Sequence, residues 1–200
     1  MLTWFGNLKV GQKIGLGFLL MIVLLAGVVG YTLAEVGKVN MMSTKVVTLR
    51  MPSALRSLGM LTGMNRSLAA LRSWMLFGKD KFKAERAETW ATQIDPAFAD
   101  LKKLSPNWTD QKNIDGFKIV ESSLELLRKS QQRVEDIALT DIEGAKKILA
   151  EETAPLSTTI RAELKAMSDK QRDLAMKNGE DTTAVITQLN KVLWVLLVVG

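Results

Sequence analysis

The sequence predicts an all-α protein, an antiparallel up-down-up-down four-helix bundle whose long first and fourth helices continue into transmembrane helices. Residues 14–34 and the run from Lys191 onward are strongly apolar. Between them, apolar side chains recur every three or four residues in four segments, a spacing typical of helices that pack side by side. No segment alternates apolar and polar side chains at every second position, so the sequence gives no sign of a sheet.

Residues 14–34, IGLGFLLMIVLLAGVVGYTLA, contain no charged side chain. A helix of this length covers about 31 Å, which matches a hydrocarbon core of about 30 Å. We therefore predict a first transmembrane helix here. A cleaved signal peptide is the alternative, but its apolar core normally runs only about 7–15 residues.

Charge around this segment predicts its orientation. Residues 1–13 contain Lys9 and Lys13 and no acid, whereas the segment is followed by Glu35. An excess of lysine marks the cytoplasmic side, so we predict a cytoplasmic stub of residues 1–13 and an outer domain of residues 35–190.

Residues 191–200, KVLWVLLVVG, contain too few apolar side chains to span a membrane. We interpret them as the start of a second transmembrane helix that the end of the sequence cuts short. A short apolar tail that ends a complete protein is the alternative.

The composition excludes several kinds of chemistry. The chain has no Cys and no His, which removes disulfides, thiol nucleophiles, imidazole bases and nearly all zinc, haem and iron–sulfur sites. It also lacks Gly-rich phosphate loops and other catalytic motifs, so we predict no enzyme, cofactor or metal site. The net charge of +6 is spread along the chain. It is compatible with an anionic partner, and the domain's place outside the cytoplasm argues against nucleic acid.

Turn residues divide the outer domain into four helices. The predicted helices are residues 36–77, 81–104, 110–139 and 142 onward. Gly78 is a C-terminal glycine and Asp80 an N-cap, and Thr140-Asp141 can cap the fourth helix. Proline removes a helical hydrogen bond, so we expect kinks or short breaks near three prolines. These are Pro52, Pro96 and Pro155.

Side chains at heptad spacing predict which face of each helix packs inward. In the first helix they are Val47, Met51, Ala54, Leu58, Leu61, Asn65, Leu68, Arg72 and Met75. In the second they are Trp90, Ile94, Ala97, Leu101 and Leu104. In the third they are Phe117, Val120, Leu124, Leu127, Gln131, Val134 and Ala138. In the fourth they are Thr153, Leu156, Ile160, Leu164, Met167, Gln171 and Leu174.

Helix lengths suggest a dimer. The first helix outside the membrane is roughly 63 Å long, and the second and third are much shorter. The first and fourth must therefore extend beyond the other two, and a second copy of the chain would complete a four-helix stalk. Gly59 and Gly63 would allow close helix approach. We therefore expect a homodimer.

Polar side chains interrupt the predicted seams at similar depths. Asn65 and Arg72 do so in the first helix, Gln131 in the third and Thr153 in the fourth. A buried charge needs a partner, and the Arg fork fits a small carboxylate. Arg66 lies on the flank of the same stripe, where it could face a dimer partner. We predict that these five residues bind a small anionic ligand.

Purely structural roles for the same residues stay open. Arg72 could pair with an acid of a neighbouring helix, or extend its charged end to solvent. Asn65 and Gln131 could be polar core residues that fix the register of the helices.

Residues 4–13 follow the pattern Trp-Phe-x-Asn-Leu-Lys-x-Gly-x-Lys directly before the first apolar segment, and residues 65–80 read NRSLAALRSWMLFGKD. Both stretches resemble the N-terminal half of bacterial methyl-accepting chemotaxis receptors. The resemblance implies an inner-membrane receptor with a periplasmic sensor domain, and cytoplasmic signalling partners reached through a C-terminal region beyond this sequence. It also implies ligand contacts from Arg66, Arg72 and Thr153, often at a dimer interface. The three-arginine spacing of aspartate receptors is absent, which argues against aspartate as the ligand.

Together these observations predict a transmembrane chemoreceptor sensor module that binds an organic acid or amino acid and signals through helix displacement. One alternative places the same input domain on a sensor histidine kinase or nucleotide cyclase. Another is a membrane-anchored bundle that binds a protein and no small molecule.

Overall fold

The computed structural model describes residues 9–199, with side chains as far as residue 196. The described residues are helical throughout apart from short connections and contain no strand, which confirms the all-α prediction. They form four helices: α1 (Val10–Phe77), α2 (residues 80–104), α3 (Gln111–Ile137) and α4 (residues 142–199). Residues 1–8, which make up most of the predicted stub, lie outside the described residues.

The helix ends follow local sequence signals. Gly78 ends α1 with a left-handed φ of 59°, and its N–H donates to the Trp74 carbonyl at 2.8 Å. Asp110 caps α3 by accepting from the Asn113 N–H at 3.1 Å. The carboxylate of Asp141 caps α4 in the same way. The prediction that Asp80 caps α2 is wrong, because Asp80 already lies in the first turn of that helix.

At the three prolines the helices widen instead of breaking. A five-residue π-helical turn ends two residues before each proline: Val46–Arg50, Trp90–Ile94 and Leu149–Thr153. In the first of these π-turns, the Met51 N–H donates to the Val46 carbonyl, one residue further back than in an α-helix. Proline has no N–H and its ring crowds the carbonyl four residues earlier, so one extra residue relieves the clash while the helix continues.

The chain divides into two compact units. Unit 1 contains the residues up to Ser43 and from Asn178 onward. Its part of α1 includes an 18-residue window of mean hydropathy 2.5, none of which is buried. By length and composition this segment could cross a membrane, so a membrane location is compatible with the structure.

Unit 2, Thr44–Lys177, contains the packed core. All four helices contribute to its larger hydrophobic cluster, for example Met64 of α1, Ile94 of α2, Leu127 of α3 and Leu164 of α4. A smaller cluster surrounds Leu71, Trp74 and Val134. The inward faces predicted for α2, α3 and α4 are confirmed, since their members are buried or half-buried.

The inward face predicted for α1 is only partly confirmed. Ala54 and Leu68 are buried, and Leu61 and Met75 are half-buried. Val47, Met51 and Leu58 are 67%, 41% and 48% exposed, and Asn65 and Arg72 are exposed as well. The stripe that lies fully inward repeats at spacings of three and four: Arg50, Ser53, Ser57, Met60, Met64, Ser67, Leu71 and Trp74. Half of these side chains are polar, so counting apolar side chains selects a stripe that is displaced towards the exposed side of the helix.

Gly59 and Gly63, which were expected to allow close helix approach, differ in how much space surrounds them. A Cβ at Gly63 would lie 3.0 Å from Ile94 Cγ1 and 3.1 Å from Gln93 Cβ, whereas a Cβ at Gly59 would meet nothing within 4 Å. Only Gly63 therefore brings α1 and α2 close together.

This difference predicts opposite effects of one substitution. Gly63→Ala should lower the free energy of unfolding by about 1–3 kcal/mol, because it overpacks the contact with α2. Gly59→Ala should raise it by about 0.5–1 kcal/mol through helix propensity alone. Chemical denaturation of the two full-length variants in the same detergent measures both changes. Equal effects would contradict the packing described here.

Candidate functional site

The five residues predicted to bind a ligand fall into two groups. Gln131 and Thr153 are buried, with 1% and 0% of their surface exposed. Asn65, Arg66 and Arg72 are exposed on α1. The expected convergence of Asn65, Arg72, Gln131 and Thr153 inside the bundle is therefore not found, because Asn65 and Arg72 are exposed.

The two arginines differ in their contacts. Arg66 Nε donates to Glu85 Oε1 of α2 at 3.0 Å, in an exposed ion pair. Arg72 makes neither a hydrogen bond nor an ion pair with any residue that the structure describes. Since it is exposed, Arg72 needs no partner, and the argument from a buried charge does not apply to it.

Gln131 joins three helices. Its Oε1 accepts from Ser67 Oγ of α1 and from Trp90 Nε1 of α2, each at 2.9 Å. The acceptor of this side chain is thus already used inside the protein. The arrangement is that of a polar core residue that fixes the register of neighbouring helices.

Thr153 lies at the end of the third π-turn. Its hydroxyl, like those of Ser57 and Ser157, is buried and has no hydrogen-bond partner within residues 9–199. A buried hydroxyl without a partner is unfavourable, which makes these three groups suitable contacts for a water molecule or a ligand atom.

A groove between α1 and α4 contains one predicted residue, Asn65, beside two cations that the sequence analysis did not select. The groove encloses about 290 Å³ and is lined by Leu61, Asn65, Thr158, Arg161, Ala162 and Lys165. Lys165 Nζ lies 2.6 Å from Asp169 Oδ2. This hydrogen bond, with the charges of Lys165 and Arg172, lowers the pKa of Asp169.

Arg161 is the unpaired cation of this groove. No carboxylate in the described part of the chain lies within 4 Å of its guanidinium, and its Nε is buried without a hydrogen-bond partner. Spacing in the sequence could not have singled out Arg161, because other arginines, such as Arg72, likewise have no acid three or four residues away. Beside Asn65 and Thr158, Arg161 gives the groove the donors needed to hold a small anion.

A second cation, Arg50, was missed because the α1 register was misplaced. It is only 5% exposed, and its Nη atoms donate to Gln171 Oε1 at 3.2 Å and Thr109 Oγ1 at 3.1 Å. Both acceptors are neutral. Burial lowers the pKa of Arg50, and the charge of Asp110 acts in the opposite direction.

The other buried cation among the described residues, Arg86, is paired with a carboxylate and an amide. Its Nε donates to Glu135 Oε2 at 2.6 Å and its Nη2 to Gln132 Oε1 at 2.7 Å. Trp74 Nε1 donates to the Glu135 carbonyl at 3.1 Å. Arg86 is therefore satisfied inside the protein, and its role is structural.

Breaking this buried pair should be costly. Glu135→Gln leaves the Arg86 charge buried without a counter-charge, so we expect a loss of about 3–5 kcal/mol in the free energy of unfolding. The matched control is Glu85→Gln, which removes the exposed partner of Arg66 and should cost under about 1 kcal/mol. Denaturant unfolding of both variants tests the difference. Similar losses of unfolding free energy in the two variants would show that the burial of Arg86 adds little to the strength of its ion pair.

Comparison with known proteins finds no matching protein-family model, no matching curated protein and no matching solved structure.

Proposed function

We propose that this chain is the membrane-anchored input region of a chemoreceptor. The observation that carries the proposal concerns the single helix α1. Its N-terminal part is an exposed apolar segment long enough to cross a membrane, and its C-terminal part contributes side chains to the core of unit 2. In this proposal the helices of unit 2 run alternately up and down, and α1 and α4 continue into transmembrane segments. Lys9 and Lys13 on the N-terminal side of the apolar segment support a location of unit 2 in the periplasm of a bacterial cell.

The proposed ligand is a small organic acid or amino acid, bound by its carboxylate in the groove between α1 and α4. Arg161 offers a guanidinium without a carboxylate partner among the described residues, and Asn65 and Thr158 offer neutral hydrogen-bonding groups beside it. A carboxylate would pair with the charge and satisfy the buried Nε. It would also contact both helices, so binding could favour one position of α4 over another. Shifts of about 1–2 Å are enough in known switches.

A homodimer is part of the proposal. Exposed apolar side chains follow one face of α1 in unit 2: Val47, Met51, Leu55 and Leu58. Asn65 and Arg72 continue the same face. If two copies pair through this face about a two-fold axis, each covers the other's apolar patch, and Arg72 is brought to the interface near the groove.

Ligand binding can be measured by calorimetry with a panel of organic acids on the full-length chain in detergent. For any acid that binds, Arg161→Gln should weaken binding by roughly 10–100-fold, because it removes a charge-assisted hydrogen bond. Arg56→Gln removes the same charge from an exposed ion pair with Asp100, and should leave binding unchanged.

One outcome would count against this site: equal binding by Arg161→Gln and the natural chain would exclude the groove. Unchanged binding by Arg72→Ala would remove Arg72 from the ligand contacts that the sequence predicted.

The proposed interface predicts a change in oligomeric state. Leu58→Asp should convert the dimer to a monomer, because it buries a charge at the centre of an apolar contact. Leu126→Asp on α3, where the side chain is 55% exposed, is the control and should leave the dimer intact. Analytical ultracentrifugation in detergent distinguishes the two states. A natural chain that is already monomeric would refute the homodimer.

The same exposed face also favours a second candidate, a membrane-anchored bundle that binds another protein. A monomeric natural chain that binds none of the acids would support this candidate over the receptor.

A further inference from the structure

We propose that Arg50 anchors an interior site for a small monovalent anion, of halide or formate size, separate from the groove between α1 and α4. The site lies in unit 2, where α1, the start of α3 and α4 meet around the Arg50 side chain. It goes beyond the proposed receptor function and does not depend on it.

The first argument is an excess of unused donors. Arg50 Nε and Gln171 Nε2 are buried and have no hydrogen-bond partner in the described part of the chain. Because Gln171 uses its Oε1 to accept from Arg50, its amide nitrogen belongs to the same cluster. Buried donors without acceptors are costly, and what they lack is an acceptor.

The second argument is charge. No carboxylate among residues 9–196 lies within 4 Å of the Arg50 guanidinium, and its two acceptors, Gln171 and Thr109, are neutral. The nearest relevant acid, Asp110, is already engaged. Its Oδ1 accepts from the Asn113 N–H at 3.1 Å, and its Oδ2 lies 3.4 Å from Lys170 Nζ. A buried charge normally has a paired counter-charge.

These two arguments together favour an anion over a water molecule. A water molecule could accept from an unused donor, but it would leave the Arg50 charge without a counter-ion. A small anion supplies both the acceptor and the charge. The lowered pKa of Arg50 agrees with this reading, since the guanidinium is desolvated without a close counter-charge.

The test uses thermal unfolding of the full-length chain in detergent at constant ionic strength. Sodium gluconate, whose anion is too large for such a site, is replaced stepwise by sodium chloride or sodium bromide, neither of which supplies the carboxylate proposed for the groove. A bound anion stabilises the folded state by mass action, so Tm should rise by about 5–10 °C at saturation with at least one of the two salts. Equal Tm values in all three salts would overturn the proposal.

Two variants move the response in opposite directions. Gln171→Glu places a carboxylate beside Arg50 and should abolish the anion dependence while keeping Tm high in gluconate. Asp110→Asn keeps an effective N-cap but removes the carboxylate charge that acts on Arg50. Because this charge repels an anion at Arg50, its removal should lower the half-saturating anion concentration several-fold.

The control is Arg56→Gln, which removes a cation from the exposed ion pair with Asp100 and should leave the anion dependence of Tm unchanged. Loss of the dependence in this variant would assign the effect to surface charge and overturn the Arg50 site. An unchanged anion dependence in Gln171→Glu would overturn it as well. If Asp110 is simply the counter-ion of Arg50, Asp110→Asn will lower Tm in every salt without tightening the response, and the proposal fails.

Discussion

Polar side chains occupy half of the interior stripe of α1, and the packing of unit 2 depends on the hydrogen bonds that Arg50, Ser53 and Ser67 make to other helices and segments. Arg50 donates to Gln171, Ser53 Oγ accepts from Trp108 Nε1 at 2.8 Å, and Ser67 donates to Gln131. These bonds lead to α4, to the segment before α3 and to α3 itself. Sliding α1 along its axis would break all of them at once and leave polar groups buried without partners. The register of the bundle is therefore set by hydrogen bonds, and apolar contacts such as that of Leu71 fill the remaining space.

The π-turns affect which side chains enter this stripe. Each residue of an α-helix turns the chain by about 100°, so one added residue rotates everything beyond it relative to what precedes it. The first π-turn ends at Arg50, at the start of the interior stripe, and the third ends at Thr153. Both side chains are buried with an unpartnered polar atom among the described residues, Arg50 Nε and Thr153 Oγ1. Each of these prolines thus influences which side chain is buried two residues before it, because the π-turn that precedes the proline ends there.

How well the sequence predicts this structure depends on how apolar each interior stripe is. The seam of α3 contains one polar member, Gln131, so its register and the unusual position of Gln131 could both be read correctly. In α1 the apolar side chains lie on two adjacent faces, and the face with Val47 and Leu58 is exposed. Heptad counting cannot distinguish an interior face from an apolar surface, so Arg72 was assigned inward and Arg50 was overlooked. Partners from distant helices, such as Gln171, cannot be read from spacing at all.

Arg161 and Arg50, both without a carboxylate partner among the described residues, connect the candidate site to its proposed output. Arg161 lies on α4 in the groove against α1, and Arg50 lies on α1 and donates to Gln171 of α4. Any movement of α4 along α1 must therefore stretch the Arg50–Gln171 hydrogen bond. Because the Gln171 amide that accepts this bond is neutral, the bond is weaker than the buried ion pair between Arg86 and Glu135. It therefore opposes a movement of α4 less than such an ion pair would. The firm contact is between α2 and α3 and the weak one between α1 and α4, which is the distribution expected if α4 is the helix that moves.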